Sequence, residues 1–293
     1  MAEVFFSSVR SVELSIIGAG RTGRTLGRLA RRAGYSIGSV VCRTAGHARE
    51  AAAFIGAGRP GTELQGSVLT IVAVPDAEIP RIVGSLRVPR GAVVAHTCAA
   101  LGAEARRPWR PAGAIHPLRS FGDPARAAAG FAGTACAIDG DAAAVKALER
   151  FAKAIGGRPL RVRRGGKALY HAGAVFASNY LVAGLDAAIR LFGEAGIPKA
   201  TAAAALSRLA EGTLSNVDAV GIPSALTGPI ERGDEETVRL HVAALARVPG
   251  LLGAYRAMGE LAVGVARAKG SLDAAGAGRM FDALVPRKES TGR

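Results

Sequence analysis

Glu13-Leu14-Ser15-Ile16-Ile17-Gly18-Ala19-Gly20-Arg21-Thr22-Gly23 decides the fold of this chain. The apolar run Leu14–Ile17 reads as a buried strand, and glycines at 18, 20 and 23 follow in the G-x-G-x-x-G spacing. A helical pattern then carries Leu26, Leu29, Ala30 and Ala33 up to Gly34. Each glycine has a steric reason. Gly18 makes the tight turn, Gly20 lets a pyrophosphate approach the backbone, and Gly23 lets helix and strand pack closely. The free N–H groups at the helix start, aided by the helix dipole, suit a bound phosphate. A strand-turn-helix of this kind predicts a dinucleotide site, with Arg21 and Thr22 beside the glycines on the cofactor side.

The second predicted strand, Ser36–Val41, indicates which dinucleotide. It runs into Cys42-Arg43-Thr44, where an NAD site usually presents Asp or Glu to the ribose hydroxyls. An arginine stands there instead, and Arg21 and Arg24 flank the glycine turn. A carboxylate would repel a 2′-phosphate, whereas guanidinium holds it through charge-assisted bonds, so NADP is favoured over NAD. The alternative is that Arg43 is an ordinary exposed arginine of an arginine-rich chain.

The 293 residues, 49% of them hydrophobic, can bury a large core, and the length suggests two domains. A formal charge of +15 raises nucleic-acid binding. Yet only six of the 38 basic side chains are lysine, the arginines are scattered, and no aromatic residues interleave with them. With 39 glycines and long alanine runs, a compositional bias toward Ala, Gly and Arg explains the charge better. The positive field suits an anionic small-molecule substrate and cofactor. Cys42, Cys98 and Cys136 match no metal motif and no disulfide framework, which predicts reduced thiols in the cytoplasm and no bound metal. Met1–Arg10 lacks a signal-peptide pattern. The apolar stretch Ala172–Leu185 is too short for a membrane span and contains Asn179, so it is expected as a buried helix.

Strands and helices alternate through the first half. Strands are predicted at Val68–Val74, Ala92–Ala95, Ala112–Ile115, Thr134–Ile138 and Arg158–Val162, and Asp141 is expected to cap a helix reaching Ile155. This is the rhythm of a Rossmann-type doubly wound, mostly parallel α/β sheet. Beyond Gly165 every long segment reads helical: 166–194, 198–215, 234–248, 250–268 and 272–284. The expected division is a nucleotide-binding domain over 1–164 and an all-α domain over 165–293, with a polar tail from Pro286. Apolar surface in the second half, including Leu251-Leu252 and Leu261–Val265, predicts a homodimer built through residues 165–293.

Ligands of such a sheet sit beyond the carboxyl ends of its strands. Val74-Pro75-Asp76, His96-Thr97 and His116-Pro117-Leu118-Arg119 fall there. A histidine on this rim can exchange a proton near neutral pH or hydrogen-bond a substrate, or it can simply hold a loop. Arg119 can pair with a carboxylate. A second cluster opens the helical half. On one continuous helix Lys167, His171 and Ser178 would form a stripe about 40° wide, bordered by Asn179. These are polar groups in an otherwise apolar element, where burial is costly unless they are paired or functional. Lys167 and His171 are catalytic candidates, and Ser178 and Asn179 substrate-binding ones. A third stretch, Thr227-Gly228-Pro229 through Arg232-Gly233-Asp234, reads as a defined loop with Asp234 as an N-cap and Arg232 as its candidate ligand residue.

Taken in order, His96-Thr-Cys-Ala-Ala, His116-Pro-Leu-Arg-Ser-Phe, Lys167-Ala-Leu-Tyr-His171, Ser178-Asn179-Tyr and Thr227-Gly-Pro with Arg232-Gly-Asp234 resemble a bacterial family. Its members are Rossmann-like proteins with a helical C-terminal domain long labelled as of unknown function. The architecture is similar to that of 6-phosphogluconate, prephenate and 3-hydroxyisobutyrate dehydrogenases, pyrroline-5-carboxylate reductase and ketopantoate reductase. Some members of the family are alternative ketopantoate reductases. The resemblance implies Lys167 as general acid and Asn179 as a substrate ligand, although in those relatives the asparagine follows the lysine by about one turn, where this chain has His171. His116-Pro resembles the catalytic His-Pro loop of prephenate dehydrogenase, and Cys98 stands where the family has serine. The implied activity is NADPH-dependent reduction of a small 2-oxo acid, with ketopantoate the best named candidate. Reduction of another substrate, an imine or a prephenate-like acid, and a catalytically idle NADP-binding regulator are the alternatives.

Overall fold

The computed structural model describes residues 12–102, 111–163 and 165–285. The N-terminal decapeptide, Arg164 at the expected domain boundary and the tail from Pro286 lie outside the described residues. The chain forms two compact units, residues 1–180 and 181–293.

The first unit begins with β1 (Glu13–Ile17), α1 (Arg21–Arg32), β2 (Ser36–Val41), α2 (Ala45–Ile55), β3 (Arg59–Gly61), β4 (Leu69–Val72), α3 (Ile79–Ser85) and β5 (Val93–His96). It continues with β6 (Ala112–Pro117), α4 (Pro124–Ala129), β7 (Ala135–Gly140), α5 (Ala142–Ala154), β8 (Arg158–Arg161) and α6 (Lys167–Ala177). The eight strands lie in the order β3-β2-β1-β4-β5-β6-β7-β8. Among the described residues only the β6–β7 pair is antiparallel. The order reverses beside β1, which pairs with β2 on one side and β4 on the other.

Side chains alternate across the strands, and that alternation builds a core on each face. Leu14, Ile16 and Ile71 pack with Leu26, Ile55, Leu148 and Phe151 of α1, α2 and α5. Ile17, Val72 and Val94 pack with Ile79 and Val83 of α3. Nearly every inner strand residue is apolar because parallel strands covered on both faces expose no polar side. Two short elements carry no periodic signal and were not expected, the three-residue β3 and the six-residue α4.

Three expectations need correction. The helix predicted over 166–194 is interrupted: α6 ends at Ser178, whose φ of −121° and ψ of −65° leave the helical region, and α7 (Asn179–Glu194) starts anew. The apolar stretch within it is not buried, since α7 has no buried residue. Taken together, α6 and α7 are long and apolar enough to cross a membrane, and their most apolar window is not buried. A segment that is apolar on most of its circumference finds too few partners within this one chain. Finally, the Asp141 carboxylate does not cap α5; it accepts from the Ala112 N–H at 3.0 Å and so ties the helix start to β6.

The boundary also differs from the one at 164/165. The strands do end at Arg161, but α6 belongs with the sheet because its first residue, Lys167, is buried against it. The second unit holds residues 181–194 of α7, then α8 (Lys199–Val220), α9 (Ile222–Ala225), α10 (Glu235–Leu245), α11 (Leu252–Lys269) and α12 (Ala274–Leu284). Val238, Val263, Met280 and Leu284 form its core. Asp234 caps α10 as expected, accepting from the Thr237 N–H at 3.1 Å and its hydroxyl at 2.7 Å.

Candidate functional site

The glycine turn sits where the strand order reverses. Gly18 donates its N–H to Val41 O at 2.8 Å and takes a φ of +84°. A Cβ there would stand 2.5 Å from Val74 Cγ1 and 2.7 Å from Ala73 O, so both the turn and the neighbouring strand end require glycine. A Cβ on Gly23 would meet Gly18 O at 2.5 Å. Gly20 behaves differently: a Cβ on it would meet no atom within 4 Å. The space above Gly20 is open, and α1 starts there with no side-chain cap on its N–H groups. An anionic group fits this place on backbone donors alone. Of the flanking arginines, Arg24 is committed to Ala19 O at 3.0 Å and to Glu50 at 3.4 Å, while Arg21 lines the adjoining cleft.

Two cavities adjoin the turn and meet at Val74. One, of about 480 Å³, is lined by Gly18, Arg43, Arg81, Ile82 and Arg87 among others. The other, of about 600 Å³, is lined by Arg21, Thr22, Asp76, Thr97, His116 and His171 among others. The smaller is lined by Gly18 and Arg43, the larger by Arg21 and Thr22 of the same turn, an arrangement that fits a two-part ligand with its phosphates at Gly20 and Arg43 at one end.

The chemistry-bearing groups gather at the larger cleft. Lys167, only 3% exposed, donates its ammonium to Cys98 O at 3.2 Å. Cys98 itself lines the cleft. The Tyr170 ring lies 5.6 Å from the same Lys167 Nζ, and its hydroxyl lies 2.8 Å from His116 Nδ1. The His171 ring stands 6.4 Å from that of His116. Its buried Nδ1 has no hydrogen-bond partner among the described residues. Burial first, then the charges of Lys167 and His171, push His116 down to about 4, with the Asp76 carboxylate pulling the other way. His116 is therefore a neutral imidazole at physiological pH. Burial lifts Tyr170 to about 12, and burial with the Asp76 carboxylate raises the Cys98 thiol, so both keep their protons.

The structure brings together Gly18, Gly20, Arg21, Thr22, Gly23, Val74, Pro75, Thr97, His116 and His171 around the turn and cleft, with Lys167 directly behind Cys98. Arg43 lines the smaller cavity. His96 is fully buried and accepts from the Cys98 N–H at 3.2 Å, the loop-holding role rather than a place in the cleft. Arg119 turns onto Gly130 O at 2.5 Å and does not line the cleft. Ser178 and Asn179 are exposed, and the helix break at Ser178 takes them out of the stripe with Lys167. Arg232 is exposed on the helical unit.

Tyr170 is a participant that the sequence reading did not single out, and Asp76 is one that it placed on the rim without a role. The signal for Tyr170 was present: residues 167, 170 and 171 are spaced i, i+3, i+4 and share one helical face. Asp76 follows a strand end, where loop geometry rather than spacing decides what a carboxylate meets.

Residues 6–119 match a Rossmann-like domain, and residues 134–262 match a domain of unknown function, DUF2520. No curated protein matches the chain in sequence. Among solved structures, TM1727 from Thermotoga maritima superposes with a TM-score of 0.74 at 24% identity, over 87% of this chain and 99% of that one. BF3122 from Bacteroides fragilis, provisionally labelled an NADP oxidoreductase, gives 0.67 at 22% identity over 89% and 99%. The 1-pyrroline-5-carboxylate reductase of Streptococcus pyogenes gives 0.62 at 14% identity over 88% and 99%. The chain thus matches a Rossmann-like domain and then DUF2520, and it shares its fold with these structures.

Proposed function

We propose that this protein is an NADPH-dependent reductase of a small 2-oxo acid, with ketopantoate the best named candidate. The observation that carries the reading is one continuous arrangement. An open, uncapped glycine turn lies between a cavity holding Arg43 and a cleft holding neutral His116 in front of buried Lys167. The labels of two of the structures that share the fold, an NADP oxidoreductase and a pyrroline carboxylate reductase, support it.

The backbone at Gly18–Gly23 and the start of α1 would hold the pyrophosphate, and Arg43 the 2′-phosphate. When bound, the nicotinamide supplies the hydride for the carbonyl carbon. The chain's own groups supply the rest. Neutral His116 donates a hydrogen bond to the carbonyl oxygen and orients it. The Lys167 ammonium stabilises the developing alkoxide and then gives it a proton. Thr97, Pro117 and Phe121 wall the cleft.

Turnover of NADPH with a panel of 2-oxo acids, ketopantoate included, tests the reading. Lys167→Ala should lower kcat by roughly 10²- to 10⁴-fold with little change in NADPH affinity. Tight NADPH binding without turnover of any panel member would instead favour a regulator. One observation favours a second substrate class. Asp76 is a carboxylate on the cleft, and the arginine expected to hold a substrate carboxylate, Arg119, is turned away. A protonated imine would find a counter-ion in Asp76, so cyclic imines belong in the same panel.

The protein is further proposed to act in the cytoplasm as a homodimer. Its three cysteines are free thiols, as a reducing compartment requires, and the exposed apolar surface of α7 asks for a second copy.

A further inference from the structure

Two proton-bearing groups, His116 on the cleft and Lys167 behind it, both neighbour Tyr170. The phenol hydroxyl is 2.8 Å from His116 Nδ1, and the ring lies 5.6 Å from Lys167 Nζ. The two aromatic rings meet edge to face, 5.8 Å apart at 80°. Tyr170 projects from the first turn of α6, whose start is anchored by the Lys167 bond to Cys98 O. The hydroxyl is thus aimed by a fixed piece of backbone.

We propose that Tyr170 is a positioning residue that donates its hydroxyl proton to His116 Nδ1, fixing the imidazole as the Nε2–H tautomer that faces a substrate oxygen. A neutral imidazole has one N–H and one lone pair, and the hydrogen bond made by one nitrogen decides where the proton sits on the other. The direction of the bond follows from hydrogen-bond accounting. The phenol is half-buried, and His116 Nδ1 is the hydrogen-bond partner of its hydroxyl among the described residues. With Nδ1 as acceptor the phenol proton is satisfied within the protein, whereas with Nδ1–H as donor it would have only solvent to turn to. The charges around the pair agree. Lys167 and His171 of α6 oppose a second proton on the imidazole, Asp76 after β4 favours it, and Cys136 of β7 faces Tyr170. The balance leaves a neutral ring whose tautomer, rather than its charge, is the variable to be set.

The role toward substrate rests on the reductase reading, but the tautomer does not. The test therefore uses the purified full chain with [15N]-histidine and no added ligand. Long-range 1H–15N spectra separate the tautomers, and His116→Gln assigns the signal. The expected result is an Nε2–H imidazole for His116 that takes up no proton between pH 5 and 8. In Tyr170→Phe, which keeps the ring against Lys167, the tautomers should mix. Its protonation equilibrium should shift roughly tenfold toward the imidazolium, the size of one neutral hydrogen bond. An Nδ1–H signal in the unaltered protein overturns the proposal, and so does a fixed Nε2–H signal in Tyr170→Phe. If Tyr170→Phe does not fold, the spectrum of the unaltered protein still decides the direction of the bond. A parallel kinetic arm expects kcat about tenfold lower in Tyr170→Phe with the NADPH Kd within about twofold. Absence of turnover in the unaltered protein would count against the reductase reading alone.

Discussion

His116 ties a local environment to a pH-dependent stability. Its imidazole titrates near 6.5 when unfolded and near 4 in the folded chain, chiefly through burial and then through Lys167 and His171. Between those values the unfolded chain binds a proton that the folded chain refuses. The contribution of His116 to stability is therefore full above about pH 6.5 and is lost as the pH falls toward 4, by up to about 3 kcal/mol at roughly 1.4 kcal/mol per pH unit. Urea unfolding at pH 7.5 and 4.5 should show this drop, and His116→Gln should shrink it; an equal drop in both proteins would remove His116 as its source. The glycines make a second contrast at the residue scale. Gly23→Ala forces a Cβ to within 2.5 Å of Gly18 O and should cost about 1–3 kcal/mol of stability. Gly20→Ala meets no protein atom, so its Tm should hold while NADPH affinity falls. Isothermal titration and thermal unfolding on the same two samples separate a packing glycine from a ligand-facing one.

At the scale of elements, β1 followed by the glycine turn and α1 was legible in eleven residues, because the turn's chemistry admits little else. The succession of strands was legible too, since fully buried strands must be apolar runs. What could not be read depended on contacts distant in sequence. Nothing near Asp141 signals that its carboxylate serves Ala112, and nothing near Arg119 signals that Gly130 O captures it. The stripe of Lys167, His171 and Ser178 assumed a continuous helix, and the turn at Ser178 dissolved it. The sequence placed His116 after a strand end and Lys167 at a helix start, while their relation to Tyr170 required coordinates. Arg43, at the end of β2, supplies the prediction of this scale. NADPH should bind at least tenfold more tightly than NADH, since a charge-assisted bond contributes about 1.5–3 kcal/mol. Arg43→Asp should abolish the difference, and equal affinities in the unaltered protein would rule out a 2′-phosphate site there.

The molecule as a whole leaves Leu169, Phe176, Val182, Leu209 and Ile222 more than half exposed. Large apolar side chains in such number along consecutive helices are more than scattered surface residues account for. Sedimentation at micromolar concentration should give twice the chain mass of 29.8 kDa. Val182→Asp should shift it toward monomer. A monomer in the unaltered protein would contradict the proposed assembly.

The order of the strands also has a kinetic consequence. The walls of the larger cleft come from residues as far apart as Arg21 and His171. Strand β1 needs β4, more than fifty positions on, as one of its two neighbours. Pairings of that separation close late, because long loops must be fixed before the contacts that reward them form. Adjacent helices such as α11 and α12, by contrast, join over a few residues. During refolding from denaturant, helical signal should therefore return before a complete cleft exists, and recovery of ligand binding should trail it. A chain released with its early helices formed but its sheet unclosed would pass through a stage that is structured and yet unable to bind.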